Sequence, residues 1–260
     1  MGKTRKVIVT VMLLVFFVGC ILFIFPYIRG FYLDYRLQDS ANSFLELVKP
    51  SEKPVPSELP SMETTQKPTE ETIPNQDLWD AVHDYNQQIW EDRQSGLTDP
   101  WSYQQPSFTL GDFGLEDEVF AVISIPKIEL EMPIYLGATA DHLSLGAAHL
   151  SQTSLPVGGI NTNCVIAGHR GWHSGKYFYN IVSLKKGDEV EITNMWETLC
   201  YRVVETKAIE SYEVEKIKIQ PDRDMVTLLT CYYTGSNHKM RFAVYCERVS
   251  ELTTEKEGTE

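Results

Sequence analysis

The chain opens with a long apolar run and changes texture three times after it. Val7 to Phe25 reads VIVTVMLLVFFVGCILFIF, 19 residues without a charge, about 28 Å as a helix and enough to cross a hydrocarbon core. Lys3, Arg5 and Lys6 precede it and only Arg29 stands close behind it, so the positive-inside rule places the N-terminus in the cytoplasm and the rest of the chain outside. A cleaved signal peptide is the competing reading. The run leads into Pro26, Tyr27 and Ile28 rather than into a small-residue cleavage site, which favours a retained anchor over residues 7–28 behind a basic tail at 1–6. Residues 29–48 place Phe31, Leu37, Phe44 and Leu47 as apolar points of a helix leaving the membrane. Residues 49–76 are rich in Pro, Glu, Ser and Thr, with too little apolar surface to offset the entropy of ordering, and are expected to form a flexible spacer.

Helical spacing returns from Asp77 to Arg93, with Leu78, Val82, Tyr85 and Ile89 on one face and Asp77 as N-cap. A connection containing Asp99, Pro100 and Trp101 closes the region 77–117. From Val119 the pattern shortens into VFAVISIPKI, NCVIAGH, DEVEIT, LCYRVVETKAI, MVTLLTC and MRFAVYCERV. Short runs rich in β-branched and aromatic residues, broken by turns, predict an all-β sandwich or barrel rather than parallel βαβ units. Residues 118–249 are a comfortable length for one such domain. The last eleven residues, 250–260, are acidic and expected to be disordered.

Charge narrows the partners. The whole chain carries a formal −13, but residues 118–249 hold 15 acidic and 13 basic residues, so the acidity lies in the flanks. A near-neutral domain with acidic flanks lacks the basic face that nucleic acid requires. None of the five cysteines, Cys20, Cys164, Cys200, Cys231 and Cys246, has CxxC spacing. His169 and His173 are four apart, but Arg170, Gly171 and the lack of a nearby carboxylate argue against a metal. No cofactor is expected.

A cysteine nucleophile needs a partner favouring the thiolate and a group to steady charge at the acyl carbonyl. Cys231 ends a strand-like run and Arg241 lies ten residues on. A hairpin across YYTGSNH would pair Cys231 with Lys239 and leave Arg241 on the same face one diagonal step away, about 7–8 Å between backbones. Of the six histidines, His83, His142, His149, His173 and His238 lie in helical, turn-like or linking segments, whereas His169 directly follows a strand-like run and a glycine. A strand end on a rigid barrel can aim an imidazole. Cys164 and Cys246 lie within apolar runs and are expected to be buried.

These residues carry a resemblance. TLLTC at 227–231 resembles the TLxTC signature of sortases, Arg241 falls where their active-site arginine stands, and GAAHLSQTSLPVGGINTNCVIAGHRG, 146–171, is similar to their histidine-bearing segment, most of all in the pilus-assembling class C. YNQQIWEDRQSGLTDPWS, 85–102, is similar to the class C lid, an Asp-Pro-aromatic motif folded over the site. One departure stands out: the residues after Cys231 are Tyr232 and Tyr233, where the family usually has Thr-Pro.

The resemblance implies an eight-stranded sortase β-barrel with short helices. It implies Cys231 as nucleophile, His169 as acid/base, Arg241 as stabiliser of substrate and oxyanion, Thr230 at the substrate, and Asp99, Pro100 and Trp101 as the lid. The implied reaction cleaves a Leu-Pro-x-Thr-Gly-like sorting signal after Thr, holds a thioester, and passes the acyl group to an amine, a pilin lysine in class C. A sortase that attaches proteins to peptidoglycan is the alternative, and a non-catalytic, membrane-tethered peptide-binding scaffold is a third reading.

Overall fold

The computed structural model describes residues 2–48, 73–97, 105–115, 119–171, 177–233 and 239–249. The first helix, α1 (Lys3–Val48), is 46 residues long and runs unbroken through Pro26, so the expected anchor and the helix after it are one element. It is long and apolar enough to cross a membrane, and none of its apolar window is buried. Its last turns are amphipathic in a different register from the expected one. Leu37, Ala41 and Phe44 are buried, and Leu45 and Val48 pack beside them, the i, i+4, i+7, i+8 spacing of a helix laid on a surface. Phe31 and Leu47, two of the expected points, are exposed.

Helix α2 (Gln76–Glu91) buries Leu78, Val82, Asn86 and Ile89, with Tyr85 packed against the same cluster. Asp77 lies in its first turn rather than at the cap; Asn75 holds that position in a left-handed conformation, φ 53°, without a side-chain cap bond. Trp79 meets Trp196 edge-on, centroids 5.0 Å apart, and the Trp196 indole donates to Pro74 O at 2.7 Å.

Eight strands among the described residues close into a barrel: β1 (Val119–Ile125), β2 (Leu130–Leu136), β3 (Ala147–His149), β4 (Thr162–Ala167), β5 (Glu189–Asn194), β6 (Thr198–Glu210), β7 (Asp224–Tyr233) and β8 (Lys239–Arg248). The order around the barrel is β1-β2-β3-β4-β7-β8-β6-β5. Six strands match the apolar runs; β2 and β3 do not stand out in the sequence. Two pairs are parallel, β2–β3 and β4–β7. The second matters for chemistry, because parallel strands bring their C-terminal ends to the same place.

Alternation sorts the wall into two faces. Cys164 and Ile166 of β4, Val226 and Leu228 of β7, and Val244 and Cys246 of β8 join Phe120, Ile123, Ile134, Ile192 and Tyr201 in the main core. Val165, Ala167, Leu229, Ala243 and Tyr245 point the other way and are covered by Leu97, Leu143, Leu150 and Ile217. The odd-numbered positions of β4, β7 and β8 therefore form an outer face roofed by loops.

Candidate active site

The β4–β7 register pairs Thr162 with Asp224 and continues without a break to Ala167 and Leu229. Gly168 N donates to Leu229 O at 3.0 Å, and the Thr230 hydroxyl donates to Gly168 O at 2.9 Å. This bond leaves His169 and Cys231 as the next residue on each chain. On the far side of β7, Cys231 pairs directly with Arg241 of β8. Cys231 and Arg241 thus form a row on the outer face, extended by His169, which lies two residues past the end of β4.

The expected diagonal geometry is corrected by this register. Lys239 pairs with Tyr233, not with Cys231, because the hairpin uses five residues, 234–238, for its connection. The shift brings Arg241 closer, from a diagonal to a direct cross-strand neighbour. Thr230, expected at the substrate, has a structural setting of its own. It is fully buried, it shares the inward-facing parity of Leu228, and its hydroxyl proton is committed to Gly168, so it ties β4 to β7 beneath the row.

Several groups aim His169. A Cβ on Gly168 would lie 2.7 Å from the ring of Phe178, a separation that Cβ atoms do not tolerate, so glycine is required for this aromatic to close over the strand end. Phe178 N in turn donates to His169 O at 3.0 Å. Tyr177 stands edge-on to the His169 ring, centroids 6.2 Å apart, with its hydroxyl donating to Ser144 O at 2.7 Å. Tyr177 holds φ 51°, an unusual backbone for an aromatic residue and a local strain of the kind that marks functional sites. Partial burial lowers the His169 pKa from its ordinary value by disfavouring the imidazolium. Cys231 is half-buried and Arg241 buried, with Arg241 Nη1 donating to Met240 O at 3.0 Å.

The other thiols and histidines are disposed differently. Cys164 and Cys246 face the main core on either side of Val226, and burial pushes both thiols well above their usual range, in line with their apolar runs. His149, expected in a turn, closes β3 at 1% exposure. Its Nε2 lies 3.1 Å from Thr153 O, and burial lowers its pKa to about 4 despite bonds to the Thr153 and Ser154 carbonyls. It is a neutral structural histidine. His173 and His238 lie outside the described residues, as do Asp99, Pro100 and Trp101.

Sequence reasoning missed the polar clamps around this face. Asn86 of α2 bonds Leu155 on both sides, accepting from its N at 2.7 Å and donating to its O at 3.3 Å. This holds the TSLPVGG segment, whose Gly159 N donates to Asp224 Oδ2 at 2.9 Å. Gln94 donates to Gln152 O at 3.1 Å and accepts from Ile219 N at 2.6 Å. A polar residue on an apolar helix stripe, as Asn86 is, was the available signal.

Known proteins match this arrangement. The sortase domain family model matches residues 123–249. Sortase D of Bacillus subtilis is 31% identical over 132 residues, 50% of this chain and 63% of that protein, so the chain spans less than two thirds of that relative. Sortase A of Listeria monocytogenes is 30% identical over 162 residues, 60% of this chain and 71% of that protein. Among solved structures, Group B Streptococcus pilus island 1 sortase C2 superposes with a TM-score of 0.60 at 32% identity, covering 68% of this chain and 97% of that one. Sortase C1 of GBS pilus island 1 gives 0.64 at 28% identity, covering 86% and 96%. With its closed barrel and 30% identity over 71% of the Listeria relative, the chain belongs to the sortase family.

Proposed function

We propose that this sortase is a membrane-anchored cysteine transpeptidase of the pilus-assembling kind, with Cys231 as nucleophile, His169 as acid/base and Arg241 as charge stabiliser. The observation that supports the reading is the row of Cys231 and its cross-strand partner Arg241, with His169 next to the Gly168–Thr230 bond. Cys231 Sγ attacks the Thr carbonyl carbon of a Leu-Pro-x-Thr-Gly-like signal, and the guanidinium of Arg241 faces the oxyanion that forms. The C–N bond breaks as the His169 imidazolium protonates the departing amine, leaving a thioester. An incoming amine gives its proton to His169, attacks the thioester and releases the Cys231 thiolate.

The choice of a pilin lysine as acceptor rests on the similarity to pilus island sortases of Group B Streptococcus. The residues flanking the proposed lid are consistent with it. Leu97 packs in the cluster of Ala167, Leu229 and Ala243, each two positions from a member of the row. Ser151 Oγ donates to Gln105 O at 2.6 Å on the other side. Both approaches to the Asp99-Pro100-Trp101 segment are therefore anchored on the outer face that carries Cys231. With residues 7–28 in the membrane and the N-terminus cytoplasmic, the barrel works outside the cell.

The test offers a sorting-signal peptide and two amines in competition, a pilin-type lysine peptide and a cell-wall cross-bridge mimic. The lysine product should dominate and vanish in Cys231→Ala. Dominance of the cross-bridge product would replace pilus assembly by peptidoglycan anchoring, and no product or thioester with either would leave only the scaffold reading. Asp99→Ala with Trp101→Ala should speed alkylation of Cys231 by a bulky reagent; equal rates would remove the lid.

A further inference from the structure

We propose that Arg170 is a positioning residue: stacked on Tyr232, it locks the chain that carries His169 against the strand that carries Cys231. The inference rests on reading Cys231 and His169 as the working pair. Arg170, Tyr232 and Phe242 are each the residue directly after a member of the row, and their side chains form one stack. The Arg170 guanidinium carbon lies 5.4 Å from the Tyr232 ring centroid and 6.0 Å from that of Tyr179. Tyr232 and Phe242 have centroids 5.5 Å apart, inclined at 42°, and Phe242 packs against the main core.

A line of contact therefore runs from the core through Phe242 and Tyr232 to Arg170, one peptide unit from each side chain that must be aimed. Such a line is needed where it stands. The β4–β7 register ends at Ala167 and Leu229, and beyond Gly168 the His169 carbonyl turns to Phe178, so the ladder stops holding the histidine to β7 just where alignment matters. A guanidinium over an aromatic face restores that link without a backbone bond. Tyr232 occupies the place after the cysteine where the family's usual residue is threonine, which has no ring to receive the cation. The link is thus a feature of this chain.

The experiment uses the full chain and a sorting-signal peptide, measuring kcat, KM and melting temperature. Arg170→Leu should lower kcat about tenfold or more with KM within about twofold, since a misplacement of about 1 Å can cost 10²-fold. Arg170→Lys keeps a cation over the ring and should recover most of the loss. Tyr232→Leu should match Arg170→Leu, and the double variant should be no slower than either, the mark of one shared interaction. Wild-type kcat in Arg170→Leu, no recovery by lysine, or losses that multiply in the double variant would each overturn the proposal. Should Arg170→Leu fail to fold, Arg170→Gln is expected to be slow and Tyr232→Phe near wild type; the reverse order overturns it equally. Cys231→Ala in the same assay separates the two readings, because acylation surviving there removes the nucleophile whatever Arg170 does.

Discussion

Cys164, Cys246 and His149 are held in the barrel wall, while Cys231 and His169 stand at the ends of two of the same strands. The residue types are the same and the environments opposite. In the wall, burial drives both thiols far above their usual range and His149 down to about 4, so all three are neutral at pH 7. At the strand ends, desolvation is partial: His169 is lowered but half-buried, and Cys231 is reachable. Desolvation sets which thiols can ionise, and the end of a strand is where a barrel can offer rigid backbone and solvent together.

The comparison is broken most forcefully by exchanging the fates of the thiols. Cys231→Ala should reduce acylation by about 10³-fold or more, the scale of losing a covalent nucleophile. Cys164→Ala and Cys246→Ala should keep the activity and lose about 1 kcal/mol of stability to a small cavity. Mass mapping of the acyl adduct decides it, since an adduct at either buried cysteine would mean that the wall is not sealed.

His149 sharpens the comparison next. Its folded pKa of about 4 lies below the ordinary 6.5, so between those values the unfolded chain binds the extra proton. Stability should fall as pH drops from about 6.5 to about 4, by on the order of 3 kcal/mol, and level off below. His149→Gln, which has nothing to titrate there, should flatten that part of the curve in denaturant midpoints measured across the pH range. A slope unchanged by the substitution would assign it to other groups.

The smallest effect concerns His169. If Cys231 and His169 work as the proposed pair, activity should follow a bell whose limbs belong to the coupled pair. Tyr177→Ala uncovers the ring and should let its pKa rise. The limb on which imidazolium is lost should move to higher pH. A single-turnover pH profile that does not move, or moves down, would show that burial is not what lowers this histidine.

Much of this was legible in the sequence because strand runs and a signature motif are local. Cys231 at the end of MVTLLTC and His169 after CVIAG are local facts, and the barrel's parallel pairing converts them into neighbours. β2 was hidden by Pro133 and Glu131, which interrupt an otherwise apolar strand. The proline is tolerated because β3 joins β2 only from Ile134 onward, so one edge has no ladder to supply there. β3 has three residues, too few for a period. The hairpin register escaped because loop length is not written in apolar pattern, and two residues of slip moved Arg241 from a diagonal to a direct neighbour. The stack of Arg170, Tyr232 and Phe242 escaped because nothing in a linear chain marks three residues 62 and 10 positions apart as touching.

The docked end of α1 gives the barrel a hold on that helix besides the covalent chain. Val48 packs on the cluster of Ala41, Phe44, Val119, Val122 and Tyr135, and so does Met195. On the other side of the gap, Asn75 Nδ2 lies 3.7 Å from Met195 Sδ and Pro74 O accepts from Trp196. Val48 and the Pro74–Asn75 pair thus meet the barrel at one spot. On the proposed membrane placement of residues 7–28, the nine helical rises from Ile28 to Leu37 set a stand-off of about 14 Å. Cutting a protease site engineered between residues 49 and 72 should then leave the barrel on washed membranes, held by α1 alone, and release it only when Ala41 and Phe44 are replaced by charged residues.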